Sequence, residues 1–187
     1  MFFALILMVS LTGMDVDSLT AALHVETGMA YLEQGLPDRA LQEFNTALEK
    51  SDRVWDAYLG LGRIAVLNNA WGTAEEHYTR YMELMPFDPR APLEMAEMFL
   101  ALPARFDEAV AYADQALTLA PLDGRCWLAV ADAEAGLGNT EDAIAWYTRT
   151  IIENEELAFD ARLRMGELLF QMGEHNNEKT NNIPAAS

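Results

Sequence analysis

The chain has 187 residues, of which 51% are hydrophobic, enough for one domain with a sizeable core. Its 30 acidic residues against 12 basic ones give a formal net charge of −18; such a surface repels phosphate backbones, which excludes nucleic acid as a partner and disfavours anionic membrane surfaces. Cys126 stands alone, so an intramolecular disulfide and zinc sites built on cysteine pairs are excluded, and the thiol is read as a buried, inert one.

In chain order, the first feature is the uncharged stretch FFALILMVSLT (2–12), inside an apolar N-terminal segment, 1–13. It is too short to span a bilayer, which needs about 20 apolar residues, but it matches the apolar core of a secretory signal. Neither Lys nor Arg precedes it, and Ser10, Thr12 and Gly13 make a poor cleavage site. Three readings stay open: an export signal or anchor, an extra helix packed over the adjoining helical segment, or a start placed too far upstream. Contact with a membrane, if any, runs through 2–12, and the location is either cytoplasmic or periplasmic and membrane-associated.

From residue 14 to 173 the sequence repeats itself. RALQEFNTAL (39–48), TAEEHYTRYM (73–82), EAVAYADQAL (108–117) and DAIAWYTRTI (142–151) align, with Ala40, Ala74, Ala109 and Ala143 at one place. The alanines recur at spacings of 34, 35 and 34 residues. An aromatic follows four residues later in three of them (Phe44, Tyr78, Tyr147), where the third has Ala113. Upstream of each lies a second helical pattern, 24–35, 58–69, 92–103 and 127–138, with Gly28, Gly62, Ala96 and Ala131 at its fifth place. Glycine inside a helix costs about 1 kcal/mol against alanine, so its repeated use implies helices in close approach. Gly28 is expected to meet Ala40, Gly62 to meet Ala74, Ala96 to meet Ala109 and Ala131 to meet Ala143. Each unit is then an antiparallel helical hairpin.

These residues resemble the tetratricopeptide repeat family. Repeat one (21–54) carries Gly28, Tyr31, Ala40, Phe44 and Ala47, and repeat two (55–88) carries Tyr58, Leu61, Gly62, Ala74, Tyr78 and Pro86. Repeat three (89–123) has Ala96, Phe99, Ala109, Ala116 and Pro121, with one extra residue near Pro103. Repeat four (124–157) has Trp127, Ala131, Ala143 and Tyr147, but departs at Thr150 and Glu155. A capping helix is expected over 158–172, with Gly166 at the small place. The tail 174–187 lacks periodicity and is expected to be disordered. The resemblance implies an all-α, right-handed α-solenoid of about four hairpins plus that cap.

Several residues that formally suggest chemistry read better as structure. GLGRIA (60–65) lies inside a helical pattern rather than on the strand-to-helix turn that a phosphate loop needs. His24, His77 and His175 form no i, i+4 pair, so a metal site has little support. Glu75–Glu76 and Glu141–Asp142 sit at helix starts, where acids favour the dipole. Trp55, Trp71, Trp127 and Trp146 are read as inter-helix core. Neither an enzyme nor a cofactor is expected.

The resemblance implies a protein or peptide partner, held in a groove lined by first helices. Carried onto this chain, the groove places are Met29 with Leu32 and Glu33, Arg63 with Asp56 and Leu59, Arg90 with Leu93 and Glu97, and Arg125 with Leu128 and Asp132. Arg63, Arg90 and Arg125 point to a partner segment that is apolar with interspersed acids. The alternative is that each pairs with a neighbouring Asp56, Glu97 or Asp132. The function expected is a non-catalytic scaffold or adaptor. The alternative is an exported or membrane-tethered assembly factor of an envelope complex, and an enzyme with an unrecognised site comes last.

Overall fold

The computed structural model describes residues 16–102 and 105–181, with side chains up to 173. The N-terminal segment 1–13, Pro103 and the last residues of the tail lie outside it. Among the described residues the chain forms helices and no strand: α1 (Val16–Glu33), α2 (Pro37–Lys50), α3 (Trp55–Leu67), α4 (Trp71–Leu84), α5 (Arg90–Leu100), α6 (Phe106–Leu119), α7 (Gly124–Leu137), α8 (Thr140–Glu153) and α9 (Ala158–Asn181). They fall into two compact units, Met1–Ala91 and Pro92–Ser187.

The repeat spacing becomes hairpins because three of the first helices are stopped in one way. Gly35 (φ +70°), Asn69 (φ +55°) and Gly138 (φ +84°) take the left-handed conformation that ends a helix at little steric cost. The following amide then reaches back to an orphan carbonyl: Leu36 N to Tyr31 O at 2.8 Å, Ala70 N to Ala65 O at 2.9 Å, and Asn139 N to Glu134 O at 2.9 Å. Pro37 at the start of α2 pre-sets its first turn. At the start of α7, Asp123 accepts a hydrogen bond from Arg125 N at 2.9 Å.

In the first unit the core gathers Val25, Ala40, Phe44, Ala47, Ala57, Leu61 and Ile64. A side chain at Gly28 would meet the ring of Phe44 at 2.6 Å, and one at Gly62 would strike the ring of Tyr78. At these two small places the atoms nearest the first helix are therefore those of an aromatic ring. The reason is reach: the ring four residues past each alanine stands on the same face of its helix and extends further across. Burying a ring such as Phe44, 0% exposed, contributes about 1.5–3 kcal/mol. His24 also ties α1 to α2, its Nδ1 lying 2.6 Å from Glu43 Oε2.

In the second unit the third hairpin carries its aromatic one place earlier. Tyr112 stacks on Phe99, centroids 5.6 Å apart, while Ala113 is buried. Leu128, Ala131, Ala143, Tyr147 and Ala161 form the core around the fourth hairpin and α9. Thr150, which stands where an alanine is expected, is fully buried and donates its hydroxyl to Trp146 O at 3.0 Å. Trp127 is buried, as expected, donates to Pro121 O at 3.0 Å, and carries the Arg149 guanidinium 4.3 Å from its ring centroid. Cys126 is also buried, and that burial pushes its thiol up to about 11, so it stays protonated near neutral pH.

One boundary differs from the sequence reading. The helix begun at Ala158 does not stop near 172 but continues to Asn181, into the segment expected to be disordered. Gly173 alone does not end it, and no proline intervenes before Pro184.

The two glycines at one register place give opposite expectations. Phe44 cannot retreat from a methyl group at Gly28, so Gly28→Ala overpacks at a cost of about 1–3 kcal/mol, more than the helix gains. At Gly166 nothing lies within 4 Å, and Gly166→Ala stabilises by up to about 1 kcal/mol. Urea midpoints of the two variants should move in opposite directions; movement in the same direction would show that the ring does not set the crossing.

Candidate partner-binding groove

The first unit carries an open groove of about 1000 Å³. Its walls come from α1, from the turn 51–54, from α3 and from Arg90 at the start of α5. Val25 and Leu59 line it as buried floor, while Met29 and Trp55 are half-buried or exposed and offer apolar surface. Glu26 and Glu33 stand on one wall, Arg53 and Arg63 on the other, all four exposed. The Arg63 guanidinium approaches Met29 Sδ at 3.9 Å.

Arg90 at the edge of this groove is held by the protein itself. Its guanidinium grips Asp88 through Nε to Oδ1 at 3.1 Å and Nη2 to Oδ2 at 2.9 Å. It also lies 2.9 Å from Asp56 Oδ1, an ion pair without hydrogen-bond alignment, and 5.4 Å from the centroid of the Tyr81 ring. Tyr81 is fully buried and donates its hydroxyl to Asp88 Oδ2 at 2.9 Å. Burial alone would raise Asp88, but the hydrogen bonds from Arg90 and Tyr81 outweigh it and hold the carboxyl below its ordinary value.

In the second unit Asp132 plays a comparable part. It accepts from the Tyr147 hydroxyl at 2.7 Å and pairs with Arg164. Burial pushes Asp132 up, with Tyr147 and Arg164 opposing that rise, and burial raises the Tyr147 phenol. This cluster borders a shallow depression of about 380 Å³ on α7 and α9.

The tetratricopeptide repeat model matches residues 25–89 and 104–156, more than half of the chain. The chain belongs to the tetratricopeptide repeat family. Among solved structures it is similar to PilF of Pseudomonas aeruginosa, with a TM-score of 0.75 and 18% identity over 89% of this chain and 75% of that one. It is also similar to PilW, a widely conserved type IV pilus biogenesis factor (TM-score 0.67, 18% identity, 78% and 70% covered). A third is YrrB, a protein of the same family with an unusual peptide-binding site (TM-score 0.65, 16% identity, 91% and 84% covered). These likenesses carry the fold. No curated protein matches the chain.

Within this tetratricopeptide repeat protein the residues singled out from sequence have separate fates. Met29 and Arg63 line the groove of the first unit, and Arg90 closes its edge. Leu93 and Leu128 are only 3% and 8% exposed, so they belong to packing rather than to an open surface. Arg125 pairs with Glu97 at 3.4 Å, both side chains about half exposed. The alternative weighed for the arginines thus describes Arg90 and Arg125, through Asp56 and Glu97; Asp132 takes Arg164 instead. Trp55 corrects the reading of all four tryptophans as core: it is 39% exposed and lines the groove. Asp88 is the participant that sequence reasoning missed, and its place two residues before Arg90 in the Pro-flanked turn was the available signal.

Because Asp88 is lowered in the folded state, its contribution is fully present above its ordinary value of 3.8 and lost as pH falls through the folded value. The stability gap between the wild type and Asp88→Asn should therefore shrink between about pH 5 and about pH 3. Urea unfolding at a series of pH values measures it. A gap that stays constant over that range would show that the Arg90 grip does not favour the ionised carboxylate.

Proposed function

We propose that the protein is a non-catalytic scaffold that takes a partner's peptide or helix into the groove of α1 and α3. The observation that carries this reading is the groove itself: an open volume of about 1000 Å³ with an apolar floor and charged walls. Trp55 and Met29 offer adaptable apolar contact, as partner surfaces commonly do. Arg53 and Arg63 suit carboxylates on the bound segment, since guanidinium groups match that geometry. The partner segment is therefore apolar with interspersed acidic residues.

The test is selection of a random peptide library on the immobilised protein. Enriched peptides should carry large apolar residues beside Asp or Glu. Their affinity should fall by at least about tenfold with the double variant Met29→Lys, Arg63→Glu, with the circular dichroism spectrum unchanged. Peptides that bind this variant as well as the wild type would place recognition elsewhere.

A second reading, assembly of an envelope complex from an exported or tethered position, draws on the uncharged stretch 2–12 and on the similarity to PilW. Among the described residues no helix is long and apolar enough to cross a membrane. Fractionation of the chain with and without residues 1–13 separates the two; an intact N-terminus recovered in the cytosol removes the second.

A further inference from the structure

The five first helices share one register, and the last departs from the others in what covers it. Val25, Leu59, Leu93, Leu128 and Leu163 stand at one place of it, and Gly28, Gly62, Ala96, Ala131 and Gly166 three residues later. The first four apolar residues are 9%, 0%, 3% and 8% exposed, while Leu163 is 54% exposed. The Phe44 ring fills the space over Gly28 and the Tyr78 ring that over Gly62, but nothing lies within 4 Å of a side chain placed at Gly166. Phe159 and Phe170, 72% and 66% exposed, fall on the same stripe of α9, since steps of four, three and four residues return to one face. Ala161, Met165 and Leu168 face the other way, into the core. An apolar stripe of this size, centred on an open glycine, marks an interaction surface.

We propose that this face of α9 docks one amphipathic helix from a partner protein, with a small residue and an aromatic four residues apart on its apolar side and basic residues along its flanks. The chain's own second helices supply the shape argument: the rings of Phe44 and Tyr78 cover the equivalent places, and each stands four residues after a buried alanine, Ala40 or Ala74. The charge argument comes from the surroundings, where Glu155, Glu156, Asp160 and Glu167 are exposed. Opposed to them are Arg162 and Arg164, the second already paired with Asp132. A second copy fits less well. An antiparallel two-fold pair sets the same flank of each helix side by side, which would bring Asp160 against Glu167 in a chain already at −18.

The probe is a fluorescein-labelled, stapled peptide with the sequence of residues 37–50 carrying Asp38→Lys, Glu43→Lys and Glu49→Lys; the staple offsets the marginal stability of so short a helix. Fluorescence anisotropy with the full chain should show saturable binding that weakens as salt rises. Gly166→Leu, which fills the open place, and Phe170→Asp should each weaken it at least about tenfold, with a midpoint of thermal unfolding no lower than that of the wild type. Absence of binding, or binding indifferent to both variants, overturns the proposal. Sedimentation equilibrium of the chain alone is the second arm: a monomer supports the proposal, and a dimer dispersed by Phe170→Asp overturns it in favour of a second copy.

Discussion

Close approach of paired helices across a residue without a side chain, or with only a methyl group, is the constraint from which the architecture follows. Gly28 and Gly62 let an aromatic ring lie directly against the backbone of the first helix, and the ring then occupies the volume that would otherwise separate the pair. The cost of glycine within a helix is about 1 kcal/mol, and the buried ring returns more than that. A large side chain at either place would push the helices apart and deprive the alanines beside the ring, such as Ala40 and Ala47, of their contacts. The left-handed turns at Gly35, Asn69 and Gly138 serve the same end, because they fold each chain segment back tightly enough for the ring to reach.

Electrostatics works within that frame. A chain at −18 holds few cations, and much of its arginine is committed internally. Arg90 binds Asp88 and Asp56, Arg125 binds Glu97, Arg164 binds Asp132, and Arg149 covers Trp127. These pairings relieve carboxylates that burial would otherwise penalise, Asp132 above all. Of the three arginines aligned by register, only Arg63 and Arg90 line the groove of the first unit, beside Met29 and Trp55.

Much of the fold was legible because the repeat spacing and the small residues are direct consequences of helix contact. The helix starts at 37, 55, 71 and 124 follow from that periodicity. The groove was less legible. Family register places Leu93 and Leu128 on a face, but depth depends on how much neighbouring structure covers that face, and both are buried. Trp55 carries the same apolar signal as Trp127, yet one lines an open groove and the other is sealed by Pro121 and Arg149. Asp88 escaped notice because it sits in a turn, where an acid usually reads as a solvated loop residue. The span of α9 was less legible, because a polar stretch of weak periodicity without an interrupting proline can still continue a helix.

Phe44 also touches more than its own hairpin. Its ring lies against Gly28 of α1 on one side and Gly60 of α3 on the other, so one side chain is shared by two successive repeats. A hairpin cut after Lys50 would keep its two helices and their turn but leave half of that ring in water. The packing unit around this ring is then three helices rather than two, and its boundary does not coincide with the boundary between sequence repeats. Insertions or fusions placed at the repeat junction near Ser51 would divide this shared ring from its second seat, whereas those at the turn near Gly35 would leave both seats within one continuous run of chain.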